Sequence, residues 1–261
     1  MTAVASSLHH TARRQAMPWA MVAATAILGL AGMAMPWLGL STYAKTLAYY
    51  TAYFLALGQA WNLMSGLTGY VSFCHGALAG LGAYAAVLVI NQDVPVSIGL
   101  VAGATAAMLA SLLIGATSLR LRGTAFTFAT LFFQALTLLV IRKIPAIGGA
   151  GGVVLQETLP AWKPHVLMIG LAALSTIAVA LVIPSRAGIR LLAIKNDEES
   201  AAAAGIDTTR MKLVCFCASA ALAGLAGAIH ALFAASLYPD VVFSVTVSLN
   251  ALAVPLIRGA G

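Results

Sequence analysis

The sequence predicts an all-α, polytopic membrane helix bundle with about eight transmembrane helices. Apolar residues make up 61% of the 261 positions and charged residues only 8%, whereas soluble domains carry about 25% charged residues. Eight apolar stretches reach or approach the ~20 residues that a helix needs to cross the hydrocarbon core. Each is expected to be helical, because lipid offers an open chain no other way to satisfy its backbone hydrogen bonds.

The apolar stretches and the segments between them define the expected organisation. A cytoplasmic tail, residues 1–17, precedes a transmembrane domain at 18–261, in which residues 185–212 form the long polar segment. The first apolar stretch is too long for the apolar region of a cleaved signal peptide, so it is expected to be a span. In chain order the expected spans are 19–37, 46–64, 71–90, 97–117, 124–141, 165–183, 212–233 and 243–257.

The basic residues orient these spans. With the N-terminus in the cytoplasm, ten of the 14 lysines and arginines lie in inside segments and four in outside segments. This bias follows the positive-inside rule, and the opposite orientation would invert it. We therefore expect the N-terminus and residues 185–212 to be cytoplasmic and the loop at 142–164 to be external.

Small and polar residues interrupt the apolar pattern between the second and third spans. Ser72, Gly76 and Gly80 are four residues apart, which places them on one helix face that favours close helix packing. Close packing alone explains this face, but a partly unwound helix beside a substrate path also fits. His75 is either an interhelical hydrogen-bonding residue or part of a transport path, because polar groups inside membranes are often functional. The predicted translocation path comprises Asn62, Ser65, Gly66, Gly69, Ser72, His75, Gly76 and Gly80.

The polar segment is predicted to contain a short, bounded helix. Asn196 is the expected N-cap, the acids at 197–199 suit the positive end of the helix dipole, and Glu199 stands where a capping-box side chain reaches back. The alanines at 201–204 are strong helix formers, and Gly205 offers a C-terminal stop. A solvated loop with a single helical turn is the alternative. The functional interpretation is a bare alanine face on which another protein can pack closely.

Other chemistries lack the residues that they require. No lysine follows a glycine, so the sequence has no P-loop for phosphate, and it has no HExxH metal motif. The expected spans contain essentially no aspartate or glutamate, which argues against a proton-driven pump. Cys74, Cys215 and Cys217 lie in apolar surroundings and indicate buried free thiols rather than a disulfide framework or a zinc site. The chain is expected to bind no metal and no cofactor of its own.

Four stretches together resemble the permeases of branched-chain amino-acid ABC importers, and most closely the "M" permease type of the Liv systems. The most specific is GIRLLAIKNDEESAAAAGID at 188–207 with the following span LVCFCASAALAGLAGAIHAL at 213–232. The stretch at 57–84, LGQAWNLMSGLTGYVSFCHGALAGLGAY, is similar to the glycine-rich signature of that family. LRLRGTAFTFAT at 119–130 and the glycines at 148–153 also agree. The resemblance covers roughly residues 45–261.

This resemblance implies a non-enzymatic transport subunit of the bacterial inner membrane. Two permease subunits would form the pore, and two ATP-binding subunits would use ATP on the cytoplasmic side. A periplasmic or extracellular binding protein would deliver branched-chain or other hydrophobic amino acids. The coupling helix that contacts the ATPase would correspond to 196–206. Its expected coupling residues are Asn196, Asp197, Glu198, Glu199, Ala202, Ala203, Gly205 and Ile206.

The residues leave other functions open. Urea and short amides are alternative cargoes, and a secondary transporter with broken helices is an alternative mechanism. A membrane enzyme is a third class, for which no catalytic constellation is evident. Members of the resembled family continue beyond the position at which this sequence ends, so we expect a truncated chain or a fragment.

Overall fold

The described part of the chain is almost entirely helical, which confirms the all-α prediction. The structure, a computed structural model, describes residues 23, 25–34, 37, 39, 41–119, 121, 123–157 and 159–257. The expectations for the 1–17 tail and for part of the first span lie outside the described residues. The helices are α1 (25–33), α2 (Thr42–Trp61), α3 (His75–Ile90), α4 (Val96–Ser118), α5 (Thr124–Lys143), α6 (Trp162–Val182), α7 (Arg186–Asn196), α8 (Glu198–Ala203), α9 (Thr208–Ala234), α10 (Pro239–Val242) and α11 (Val245–Ile257).

Four of these helices are long and apolar enough to cross a membrane, namely α4, α5, α6 and α9. Helix α2 has 20 residues but carries a lysine and several tyrosines and threonines. Helix α3 has 16 residues and α11 has 13, so both are shorter than the ~20 residues of a full crossing. These helices fit the predicted membrane helix bundle, and the count of eight spans stays a prediction.

The centre of the bundle is built from α3, α4 and α9, whose backbones lie in direct contact. A Cβ placed on Gly227 would lie 1.8 Å from the carbonyl oxygen of Ala79, and one on Gly82 would lie 2.2 Å from that of Gly224. Only glycine permits helices to approach so closely. The small residues of α9 that lie in this contact also include the fully buried Ala220 and Ala228.

The two ends of the bundle differ in structure. At one end, the loop 144–161 contains strand β1 (Val153–Val154), which pairs antiparallel with β2 (Ser236–Leu237) after α9. The Asn91 side chain ties β1 to the end of α3 by donating to the Val154 carbonyl at 2.9 Å. Asp240, in the single helical turn α10 after β2, is exposed and pairs with Arg142 of α5. The opposite end carries α7 and α8.

Candidate functional site

The second and third expected spans are joined by an interrupted helix. Helix α2 ends at Trp61, a π-helical turn follows at Asn62–Gly66, and α3 begins only at His75. The third span was predicted to begin at residue 71, and this boundary is wrong by four residues. The reason is that residues 69–74 are irregular, because side chains rather than a helical ladder satisfy their backbone groups. We call residues 69–74 the inner loop.

Side chains of the surrounding helices hold the inner loop. The indole nitrogen of Trp61 donates to the Ser72 carbonyl at 2.9 Å, and the Ser72 amide donates to Ser65 Oγ at 3.2 Å. From α5, Thr130 Oγ1 accepts the Phe73 amide at 3.1 Å. Non-helical backbone is tolerated at membrane depth only where protein or a water-filled cavity shelters it. The bundle buries Tyr70, Ser72 and Cys74 of this loop, whereas Gly69 and Val71 are exposed.

The first turn of α3 is anchored to two other helices. The Gly76 amide donates to Ser248 Oγ of α11 at 2.9 Å, and the Ala77 amide donates to Gln134 Oε1 of α5 at 2.7 Å. Gln134 Nε2 in turn donates to the Phe243 carbonyl at 2.8 Å. The free N–H groups of a helix start therefore have internal partners, and α3, α5 and α11 meet at one buried polar cluster.

His75 lies at this cluster and contacts α9. Its Nε2 is 2.9 Å from Ser219 Oγ, which gives it the interhelical hydrogen bond that the sequence suggested. Its Nδ1 is buried and has no hydrogen-bond partner among the described residues. A direct part in transport stays a prediction.

The remaining residues of the predicted path are divided by their surroundings. Ser65 is buried beside the inner loop, and Ser72 is buried within it. Gly80 packs against the Phe243 ring, since a Cβ there would lie 2.5 Å from a ring carbon. Gly66 lies under the side chain of Asn62. Gly69, in contrast, is exposed and has φ +76°, a left-handed conformation that favours glycine.

The polar segment forms α7 and α8, and the expected N-cap of α8 is corrected by one residue. Asn196 is the last residue of α7, and Asp197 is the N-cap. The Asp197 carboxylate accepts the amides of Glu199 and Ser200 at 3.0 and 3.3 Å, and the Ser200 hydroxyl at 2.5 Å. These bonds, that of the Ser200 hydroxyl first, hold the pKa of Asp197 below its usual value. Ser200 therefore stands three residues after the cap, the position that was expected for Glu199, and the Asp197 amide donates to the Ala193 carbonyl of α7.

Helix α8 ends as predicted at Gly205. This residue has φ +85°, its amide donates to the Ala202 carbonyl at 3.0 Å, and the Ile206 amide donates to the Ala201 carbonyl at 3.1 Å. The pair of bonds is a Schellman motif, which closes a helix C-terminus. Ala201 is buried, whereas the alanines at 202–204 are exposed. The bare alanine face is confirmed, and its use as a docking face stays a prediction.

Glu198 points away from that face and into the protein. Its carboxylate accepts hydrogen bonds from Lys212 Nζ at 2.6 Å and from Thr208 Oγ1 at 3.1 Å, and also from the Tyr70 hydroxyl. Lys212 Nζ also donates to the Tyr70 hydroxyl at 3.1 Å and lies 4.3 Å from the centre of its ring. We call Tyr70, Glu198, Thr208 and Lys212 the Glu198 cluster.

Hydrogen bonds and the charge of Lys212 favour the ionised form of Glu198, although partial burial opposes it. Partial burial acts to raise the pKa of Glu198, but the bonds from Lys212, Tyr70 and Thr208 and the positive charge of Lys212 outweigh it, so this pKa lies below its ordinary value. Lys212 is only 1% exposed. A buried ammonium needs a partner, and Lys212 at the start of an expected span was the one sequence signal that could have pointed to this cluster.

A cleft of about 480 Å³ opens beside the Glu198 cluster, between the inner loop, the start of α5 and the α7–α8 junction. The inner loop contributes Gly69 and Val71, α5 contributes Thr124, and the α7–α8 junction contributes Lys195 and Asp197. Within the described residues, no three His, Cys, Asp or Glu side chains lie close enough to hold a metal ion. The cleft thus places the expected coupling residues next to the beginning of the expected path.

Comparison with known proteins identifies transport permeases. The family model described as the branched-chain amino acid transport system permease component matches residues 43–261. The chain is also similar to the high-affinity branched-chain amino acid transport system permease protein LivM of Salmonella typhimurium (strain LT2). The two are 26% identical over 254 aligned positions, which cover 82% of this chain and 58% of that protein. This chain therefore matches less than two thirds of the relative's length. No solved structure matches the chain.

Proposed function

The chain belongs to the family of permease components of branched-chain amino acid transport systems, and on this premise we propose that it is the membrane-spanning permease of an ATP-binding-cassette importer. The family is one of transport permeases rather than enzymes. In the proposal, a second permease subunit completes the pore, and a periplasmic binding protein delivers the cargo. Two ATP-binding subunits use ATP on the cytoplasmic side of the inner membrane, where the N-terminus also lies.

The observation that carries this proposal is the shape of α8. It is a short helix, closed at both ends, which presents exposed alanines to the outside of the bundle and turns Glu198 inward. Small side chains let another protein's backbone approach closely, whereas long flexible side chains would lose conformational entropy on binding. The position of α8 between α7 and α9 connects it directly to the membrane helices. A cytoplasmic ATPase that docks on α8 can therefore move them.

Ala203→Arg tests the docking role of α8. The arginine is exposed in the free chain, so the bundle should still insert, but docking would bury an unpaired charge at a cost of several kcal/mol. The variant should reach the membrane, fail to co-purify with the ATP-binding subunits and support no uptake. Ala146→Arg, at an exposed alanine on the opposite end of the bundle, is the control for co-purification. If Ala203→Arg keeps both ATPase binding and transport, the coupling role is wrong.

Branched-chain amino acids are the proposed cargo. The family description and the relative's name support this class. Uptake of radiolabelled leucine and of radiolabelled urea, measured in vesicles that contain the chain and its ATP-binding subunits, distinguishes branched-chain amino acids from short amides as the cargo. None of the four long apolar helices contains an aspartate or glutamate, which supports ATP rather than a proton gradient as the driving force. Urea uptake without leucine uptake would contradict the proposed cargo.

Residues 65–82 are proposed to line the translocation path or its gate. The irregular inner loop and the buried polar cluster at the start of α3 support this, because broken helices in transporters often lie at substrate sites. Asn62→Ala removes a half-buried amide beside the loop and should lower leucine uptake at an unchanged amount of protein. Gln92→Ala, at an exposed position at the far end of α3, is the control. Equal uptake in both variants would contradict a role of residues 65–82 in the translocation path or its gate.

A further inference from the structure

The Glu198 cluster joins three elements that are far apart in the sequence. Glu198 belongs to α8, Lys212 and Thr208 belong to α9, and Tyr70 belongs to the inner loop. We propose that Tyr70 and Lys212 are positioning residues of the transport cycle, which transmit a displacement of α8 to the inner loop. This inference rests on the coupling role proposed above for α8.

The ion pair between Glu198 and Lys212 holds α8 against α9. The Lys212 ammonium is almost fully buried, and Glu198 Oε1 lies 2.6 Å from it. Withdrawing the carboxylate would leave a buried charge without compensation, which is strongly unfavourable. Any movement imposed on α8 should therefore carry the first turn of α9 with it instead of breaking this contact.

The Tyr70 hydroxyl connects the inner loop to this ion pair. This group donates to the Glu198 carboxylate and accepts from Lys212 at 3.1 Å, so it follows both charges. The Tyr70 ring is buried and lies edge-on to Phe126 of α5, with ring centres 5.4 Å apart. Next to it, Gly69 lies against the side-chain stem of Lys195, because a Cβ on the glycine would be 3.2 Å from Lys195 Cγ. Two neighbouring loop residues thus contact the polar segment directly.

The inner loop can transmit this movement to the start of α3. Its irregular backbone can change φ and ψ without breaking a helical ladder, as hinge residues do. It ends at the first turn of α3, where Gly76 is bonded to Ser248 of α11. A shift of Tyr70 therefore acts on the buried polar cluster at which α3, α5 and α11 meet.

Tyr70→Phe tests this inference because it removes only the hydroxyl and keeps the ring. The full chain is reconstituted in vesicles with its ATP-binding subunits, and both ATP hydrolysis and radiolabelled leucine uptake are measured. Hydrolysis and ATPase binding should match the wild type, whereas uptake should fall at least about fivefold, the lower range of coupling between sites. The ATP hydrolysed per leucine should rise by the same factor. Tyr43→Phe, at a 76% exposed tyrosine on the far end of α2, should leave this ratio unchanged.

A double variant tests whether the two contacts form one connection. Tyr70→Phe combined with Glu198→Gln should transport no worse than Glu198→Gln alone, because residues in one hydrogen-bonded network are not additive. If Tyr70→Phe hydrolyses as much ATP per leucine taken up as the wild type, the inference is overturned, while the proposed function stays intact. A parallel loss of uptake, hydrolysis and folded protein would also overturn it, since that is a purely structural effect. If the unmodified chain shows no ATP-driven leucine uptake, the proposed function fails, and the inference with it.

Discussion

Replacing Glu198 with glutamine is expected to destabilise the folded chain by about 3 kcal/mol. Glutamine keeps the shape of the side chain but removes the negative charge beside Lys212. The ammonium is 1% exposed and lies 2.6 Å from Glu198 Oε1, so water cannot take the place of the carboxylate. Removing one partner of a buried ion pair costs about 3–5 kcal/mol. The lower end applies because the Glu198 side chain is itself 21% exposed.

Lys212→Met is expected to cost less, about 1 kcal/mol, because a buried charge is replaced by an apolar side chain of similar length. The Glu198 carboxylate that remains is partly exposed and still accepts hydrogen bonds from Tyr70 and Thr208. The double variant Glu198→Gln/Lys212→Met should be close to Lys212→Met, since no unpaired ammonium is left. The double-mutant cycle should therefore give an interaction energy of about 3 kcal/mol.

Free energies of unfolding of the four proteins, measured by titrating mixed micelles with a denaturing detergent, decide this prediction. A loss below about 0.5 kcal/mol in Glu198→Gln, the size expected for an ordinary surface substitution, would refute the reasoning. An equal loss in Lys212→Met would also refute it, because the larger cost in Glu198→Gln is attributed to the buried Lys212 ammonium that is left without a partner.

Further predictions concern the pH dependence of stability, single substitutions and the orientation of the chain. Because the pKa of Glu198 is held below its ordinary value of 4.5, its stabilising contribution is complete above that pH and is lost as the pH falls through the lowered pKa. The stability difference between the wild type and Glu198→Gln should therefore shrink below pH 4.5. Gly205→Ala places a Cβ in open space at φ +85° and should cost about 1 kcal/mol. Gly227→Ala instead puts a Cβ 1.8 Å from a backbone carbonyl of α3, so no folded protein should accumulate. Ser248→Ala leaves a buried amide in the first turn of α3 unpaired and should cost about 1–2 kcal/mol in the detergent titration. Ser200→Cys should not react with an impermeant maleimide added outside intact cells, above the background of the native cysteines. Labelling from outside would overturn the orientation.

The sequence predicts well those features that depend on composition and local spacing. The apolar stretches predict the helices, and the small residues at 220, 224 and 228 predict the close contact of α9 with its neighbours. Gly205 predicts the end of α8, because few other residues adopt a left-handed conformation easily. The N-cap is less certain from sequence alone, since Asn196 and Asp197 are both good caps. Only the continuation of α7 through Asn196 decides between them.

Features that depend on long-range contact are not predictable from spacing. Tyr70 and Glu198 are 128 positions apart, and Gly76 and Ser248 are 172 positions apart. The late start of α3 has the same origin, because side chains from α5 and from the end of α2 hold the inner loop out of the helix. Sequence patterns identified the loop as polar and glycine-rich, but not the partners that fix its conformation.

Leucine accumulation in vesicles that contain the chain and its ATP-binding subunits tests the central claim most directly. The binding protein and radiolabelled leucine are placed on the side opposite α8, and ATP on the side of α8. We expect accumulation that requires ATP on that side and is absent in Ala203→Arg, although the variant is present in the membrane. Accumulation that proceeds without ATP under a proton gradient, or that persists in Ala203→Arg, would contradict the account.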